Sequence, residues 1–158
     1  MLRCKIKIGS GELLDSLDGY GLVYLDSDKR VGAPARQFET VSYPERDGED
    51  ILPKSTLQPF DYKVKFFVQA NSVDSANALL EAFNGQLYTT TTGTDVKTFL
   101  PVEFVNIYKR HKIVGYPTLI DLATDYWRDP SGSVSDIVVV EWTIRVSSPQ
   151  DCDFNYSE

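Results

Sequence analysis

The sequence predicts a mainly β protein of the α+β class: an antiparallel β-sandwich or barrel-like core flanked by one α-helix over about residues 73–84. Apolar residues recur with a period of two along several runs, the mark of half-buried strands. One segment alone switches to helical spacing. Hydrophobic residues at 42% and charged residues at 25% are those of an ordinary globular chain, so a packed core is within reach.

The first strand is Leu2-Arg3-Cys4-Lys5-Ile6-Lys7-Ile8, apolar at even positions and basic at odd ones. Gly9-Ser10-Gly11 follows as a turn, leading to the run Gly21-Leu22-Val23-Tyr24-Leu25-Asp26. From about 26 to 61 the pattern dissolves among Pro34, Pro44, Pro53, Pro59 and charged residues. Apart from short strands around 37–42, this region is expected to be a long loop, and such loops are usually functional or ordered by a partner. The Asp47-Gly48 pair inside it predicts a tight turn with Gly48 at positive φ.

Alternation returns in YKVKFFVQA, where Tyr62, Val64, Phe66, Val68 and Ala70 share one face. The helix comes next: Val73, Ala76, Leu79, Leu80 and Phe83 keep helical spacing. Asn71 or Ser72 can cap its start, Asp74 complements its dipole, and Asn84-Gly85 predicts a left-handed stop. LYTTTT at 87–92 reads as a strand closed by Gly93, Thr94 and Asp95. Strand propensity continues through 99–108 and 116–124, with the basic knot KRHK at 109–112 and Gly115 as the turn between them. The last strand aligns Val138, Val140, Trp142, Ile144 and Val146; apolar Ile137 and Val139 opposite them predict a central strand, or one covered on both sides. All 158 residues are expected to form one domain.

Several function classes fall away. A net charge of −7 does not suit sequence-specific nucleic-acid binding, which depends on cations neutralising phosphates. No apolar run approaches the ~20 residues of a membrane span. The N-terminus lacks a signal peptide's apolar stretch, so the mature chain is expected to start at Met1 and its compartment to be the cytoplasm. Two cysteines near opposite ends do not make a disulfide framework; Cys4, sharing a face with Leu2, Ile6 and Ile8, is expected as a buried free thiol.

Enzymatic chemistry finds little purchase, and no catalytic residue, cofactor or metal is expected. A nucleophilic triad would need His111, the single histidine, which is read as an exposed residue of the KRHK turn. Zinc would need clustered Cys and His. Asp26-Ser27-Asp28 opens like a calcium loop, but Lys29 and Arg30 follow where ligands belong, so a turn is expected. GSGELL at 9–14 lacks the third glycine of a dinucleotide fingerprint. Trp127 with Tyr126 reads two ways: an exposed strand-end platform that stacks on a sugar, making the chain a carbohydrate-binding module, or an anchor packing the last hairpin on the core.

The order of these parts is more distinctive than any one of them. The long loop carries Tyr43-Pro44-Glu45-Arg46-Asp47-Gly48, then come the strand YKVKFFVQA, the helix, LYTTTT and long closing strands. Over residues 12–125 this resembles the N-terminal domain of the distal tail proteins of long-tailed phages, a fold similar to that of the major tail-tube proteins. In that family a Pro-x-Arg-Asp-Gly segment precedes the strand leading to the helix; Pro44, Arg46, Asp47 and Gly48 match it, with Glu45 where Gly is frequent.

The resemblance implies a homo-oligomeric, hexameric ring in a phage or prophage tail, assembled in the bacterial cytoplasm. The ring is the hub between tube and baseplate or tip, or a tube or connector ring. Its partners are other tail or baseplate proteins, with Pro44, Arg46, Asp47 and Gly48 as an assembly turn. Many members add a C-terminal domain, sometimes sugar-binding, that these 158 residues are not expected to contain.

Overall fold

The computed structural model describes residues 4–29, 32, 39–42, 49–52, 57–70, 72–121, 126–127 and 136–157, with the backbone alone at 39–42, 49–52, 73, 126–127 and 136–137. In chain order the elements are β1 (Lys5–Ile8), β2 (Leu14–Asp15), α1 (Ser16–Tyr20), β3 (Val23–Ser27), β4 (Glu39–Ser42), β5 (Glu49–Leu52), β6 (Phe60–Ala70), α2 (Val73–Gln86), β7 (Tyr88–Thr90), β8 (Lys97–Phe99), β9 (Val102–Asn106), β10 (His111–Pro117), β11 (Tyr126–Trp127) and β12 (Asp136–Val146). A 3-10 turn at Pro149–Asp151 starts the C-terminal segment.

The main sheet runs β2-β1-β9-β10-β12-β6-β3, with β11 added to β12, and every pairing in it is antiparallel. Its backbone is the pair β6–β12, in register from Asp136 opposite Ala70 to Val146 opposite Phe60. Alternation is obeyed strictly there. Tyr62, Val64, Phe66 and Val68 point inward with Val138, Val140, Trp142, Ile144 and Val146, while Lys63, Lys65 and Glu141 face water. The strand β12 is central, as its sequence predicts, but Val139 on the outer face is exposed rather than covered.

The sheet curls into a barrel-like form. Tyr24 on the edge strand β3 lies against Phe104 of β9, and Tyr62 of β6 meets the same ring, so the two halves of the sheet face each other. The bend sits in β10. Its first part pairs with β9 as far as Gly115; only Tyr116 and Pro117 pair with β12. A Cβ on Gly115 would collide with the carbonyl oxygen of Arg145, so this approach needs glycine. Gly115 therefore belongs to a strand corner and not, as the sequence suggests, to a turn.

Helix α2 closes one end. Ser72 is its N-cap and accepts from Ser75 N, as predicted. Ala76, Leu80 and Phe83 are buried, and Phe83 meets Trp142 edge-on at 5.4 Å between ring centres. Leu80 and Phe83 each contribute roughly 1.5–3 kcal/mol through the hydrophobic effect, and the single methyl of Ala76 less. The predicted left-handed stop at Gly85 does not occur: the helix continues to Gln86 and ends on Leu87 in a right-handed conformation. Leu87 is fully buried, so tertiary packing decides where the chain leaves the helix.

A second helix, α1, is too short to show a period in the sequence. Asp15 caps it through bonds to Leu17 N and Asp18 N, and Gly21 at φ 71° ends it. Strand β7 pairs with β8 across the predicted turn, where Gly93 has φ 79°. Of the strand predicted over 116–124, Tyr116 and Pro117 belong to β10, which starts earlier, inside KRHK; 118–121 are in no strand, and 122–124 lie outside the described residues. In the region expected as loop, β4 appears where short strands are predicted, and it pairs with β5, which was not foreseen. Among the described residues no helix is long and apolar enough to cross a membrane.

Candidate functional site

The residues singled out by sequence are only partly placed. Pro44, Arg46, Asp47 and Gly48, with the expected turn at Asp47-Gly48, lie outside the described residues. Their flanks are described: Ser42 opposes Glu49 and Glu39 opposes Leu52 in a two-stranded antiparallel ribbon that joins no other strand among the described residues. Tyr126 and Trp127 form β11, opposite Val138 and Ile137. Their side chains, on which the sugar-platform and core-anchor readings rest, lie outside the described residues.

The KRHK knot is half turn and half strand: Lys109 and Arg110 lie in the turn between antiparallel β9 and β10, as expected of the knot, and His111 and Lys112 start β10. The β9–β10 turn covers 107–110, and His111 begins β10 with 2% of its surface exposed, so the expected exposed histidine is a buried one. Strand alternation is the cause: His111 and Ile113 fall on the inward face, Lys112 beside them on the other. The imidazole Nδ1 lies 2.6 Å from the Tyr62 hydroxyl, and Phe154 packs edge-on against the ring at 5.3 Å.

Tyr62 is the centre of a buried polar cluster that spans four strands. Its hydroxyl donates to Ser27 Oγ at 3.1 Å, and Ser27 Oγ lies 2.9 Å from the Tyr24 hydroxyl. Asn106 Nδ2 donates to Tyr24 at 2.7 Å and to Ser27 at 3.3 Å, while its Oδ1 accepts from Tyr108 N and Lys109 N. One amide thus folds the β9–β10 turn and ties it to β3. Burial pushes the Tyr62 pKa up, since a phenolate among apolar walls is poorly solvated.

Lys109 completes the tie. Its ammonium donates to Asp26 Oδ1 at 2.6 Å and to the Ser27 carbonyl, and its bond holds the Asp26 carboxyl below its ordinary range. Asp28 Oδ2 accepts from Lys63 N. The Asp26-Ser27-Asp28 triplet, expected as a turn, is therefore the end of an edge strand whose polar groups face β6 and the β9–β10 turn. Buried polar groups need partners; here they find one another and fix the relative positions of the strands. No local pattern marks this cluster: the bulge between Tyr24 and Asp26 breaks the alternation of β3, so burial of Ser27 does not follow from a period of two.

Cys4 is buried and free, as predicted, and burial pushes its thiol up to about 12. Cys152 is also free and half-buried. Among the described residues no group of three or more His, Cys, Asp and Glu is placed to share a metal ion.

Two surface features adjoin these elements among the described residues. Leu25, Ile107 and Tyr108 are exposed, Tyr108 stacked on Tyr24 at 6.5 Å. Because Asn106 and Lys109 fix the turn beneath them, Ile107 and Tyr108 are presented on a rigid support. A cleft of about 270 Å³ opens where β10 passes from β9 to β12, lined by Val114, Gly115, Tyr116, Ser147, Ser148 and Asp151.

Against known proteins, the chain matches no family model, and no curated protein matches it.

Proposed function

We propose that the chain is a structural subunit of a long-tailed phage or prophage tail, building a homo-oligomeric ring of the distal-hub kind between tail tube and baseplate or tip. One observation carries this reading. The strands Glu39–Ser42 and Glu49–Leu52 pair on either side of the Pro44-Arg46-Asp47-Gly48 segment, ahead of the long strand β6 and the helix α2, in the order the resembled family uses.

A two-stranded ribbon is marginal in water alone and gains stability by packing on another surface. In a ring that surface is a neighbouring subunit, met through a heterologous contact of one face with a different face. The rigidly held Ile107 and Tyr108 beside edge strand β3 are suited to such burial, since preorganised apolar side chains lose little freedom on binding. The reading gives the chain no catalytic role and no cofactor. It places the protein in the virion tail, assembled in the host cytoplasm with other tail proteins.

Negative-stain images of the purified protein, alone and co-produced with the neighbouring tail proteins, test it. Closed rings, six subunits around, are expected. Isolated single-subunit particles under both conditions would overturn the reading.

A further inference from the structure

The C-terminal segment Cys152–Tyr156 behaves as a substitute strand. Between its pairing with β9 and its two-residue pairing with β12, strand β10 has a second edge from Arg110 to Val114, and the segment meets it group by group. Lys112 N donates to Asp153 O at 2.7 Å, and Asp153 N donates to Lys112 O at 2.8 Å. Tyr156 N donates to Arg110 O at 2.9 Å. At Val114 the partner is no longer backbone: its N–H and C=O meet the Cys152 thiol, at 3.5 and 3.8 Å. Phe154 anchors the segment between Phe60 and His111.

This cover holds firmly at one end and loosely at the other. The loose end borders the 270 Å³ cleft, where the sheet parts beside Gly115. The segment joins β12 through a single 3-10 turn at Pro149–Asp151, held by Asp151 N to Ser148 O and Cys152 N to Pro149 O. Such turns are short and weakly bonded, and Gln150 and Asp151 within it are exposed. Straightening it would carry the segment away from its own body.

We propose that Cys152–Tyr156 is exchanged between copies of this chain, the segment of one subunit pairing with the Arg110–Val114 edge of the next. The edge is already filled by a segment this chain supplies, so the same segment from a second copy reproduces every bond with no new complementarity; that economy is the usual basis of strand exchange. Passed from each subunit to the next, the contact is heterologous and can close a ring. The inference rests on the ring reading above and names one of its joints.

The test uses two chains produced together in a Cys152→Ser background, one tagged and carrying Lys112→Cys, the other differently tagged and carrying Asp153→Cys. Positions 112 and 153 face each other as a hydrogen-bonded pair, about 5.5 Å between Cα atoms and within disulfide reach. Exchange predicts a disulfide joining the two tagged chains. The double variant on one chain, produced alone, should then give covalent multimers rather than only an internal bond. A second readout is a chain ending at Gln150: folded by circular dichroism, it should lose assembly.

Rings without an interchain disulfide, or rings built by the shortened chain, overturn the exchange while leaving the ring reading standing. A folded protein that stays monomeric in every mixture overturns both.

Discussion

Asn84 in helix α2 and Ile120 after strand β10 exchange two hydrogen bonds, each 2.8 Å long: Asn84 Nδ2 donates to the Ile120 carbonyl, and Asn84 Oδ1 accepts from Ile120 N. The side-chain amide serves both backbone groups of Ile120 as a neighbouring strand would. Replacement by Ala leaves a part-buried backbone N–H and C=O without their partner and should cost about 2 kcal/mol. Replacement by Asp keeps the acceptor, loses the donor and faces a carboxylate with a carbonyl, so it should be no milder. Urea unfolding midpoints of the two variants check this.

Tyr62→Phe removes one hydroxyl from the centre of the buried cluster while keeping the ring against Phe104. The change takes away the hydroxyl's bonds to Ser27 and His111, and a loss of about 1–3 kcal/mol is expected. Ser27→Ala in the same background should then cost less than in the wild type, because the two residues share a network. Equal costs in both backgrounds would show that Tyr62 and Ser27 are energetically independent.

At Gly115 the predicted effect is steric. Gly115→Ala drives a methyl group into the Arg145 carbonyl and to 2.9 Å from Ile144 Cγ2, and neither can retreat without moving β12. Overpacking of this kind costs about 1–3 kcal/mol. Because the collision sits at the sheet corner, amide exchange should quicken at Tyr116 and Pro117's ladder partners before it does in the centre of β6.

Alkaline pH should weaken the fold through Cys4. Its thiol is held up to about 12 in the folded state against an ordinary 9.0, so the native protein keeps a proton that the unfolded chain has released. Stability is therefore full below about pH 9 and falls as pH rises toward 12, by at most about 1.4 kcal/mol per pH unit. Tyr62, also pushed up by burial, acts in the same direction above its ordinary 10.0. Urea titrations at pH 8 and pH 10.5 should show a smaller loss for Cys4→Ala than for wild type; parallel losses would contradict the assignment.

Where burial follows a simple period, the structure was legible in the sequence. The inward faces of β6 and β12, the cap at Ser72 and the free buried thiol of Cys4 all come from local patterns. His111 was misread because a run of four basic-looking residues suggests solvent, whereas alternation on β10 sends every second one inward. Gly85 and Gly115 were misread because packing elsewhere overrides them: buried Leu87 carries the helix past Gly85, and the Arg145 carbonyl lies where a Cβ on Gly115 would be. The Tyr24-Ser27-Tyr62-Asn106 cluster and the edge-covering segment at 152–156 depend on contacts between remote parts of the chain. No local pattern contains them.

The proposed function turns on association, and the most direct measurement is the native mass of the purified protein over a range of concentration, beside Gly48→Val. The account predicts a wild-type population at six chain masses, reduced or abolished when the Asp47-Gly48 segment carries a β-branched residue. A wild-type protein at a single chain mass throughout, or rings unaltered by Gly48→Val, would contradict the assembly role assigned to that segment.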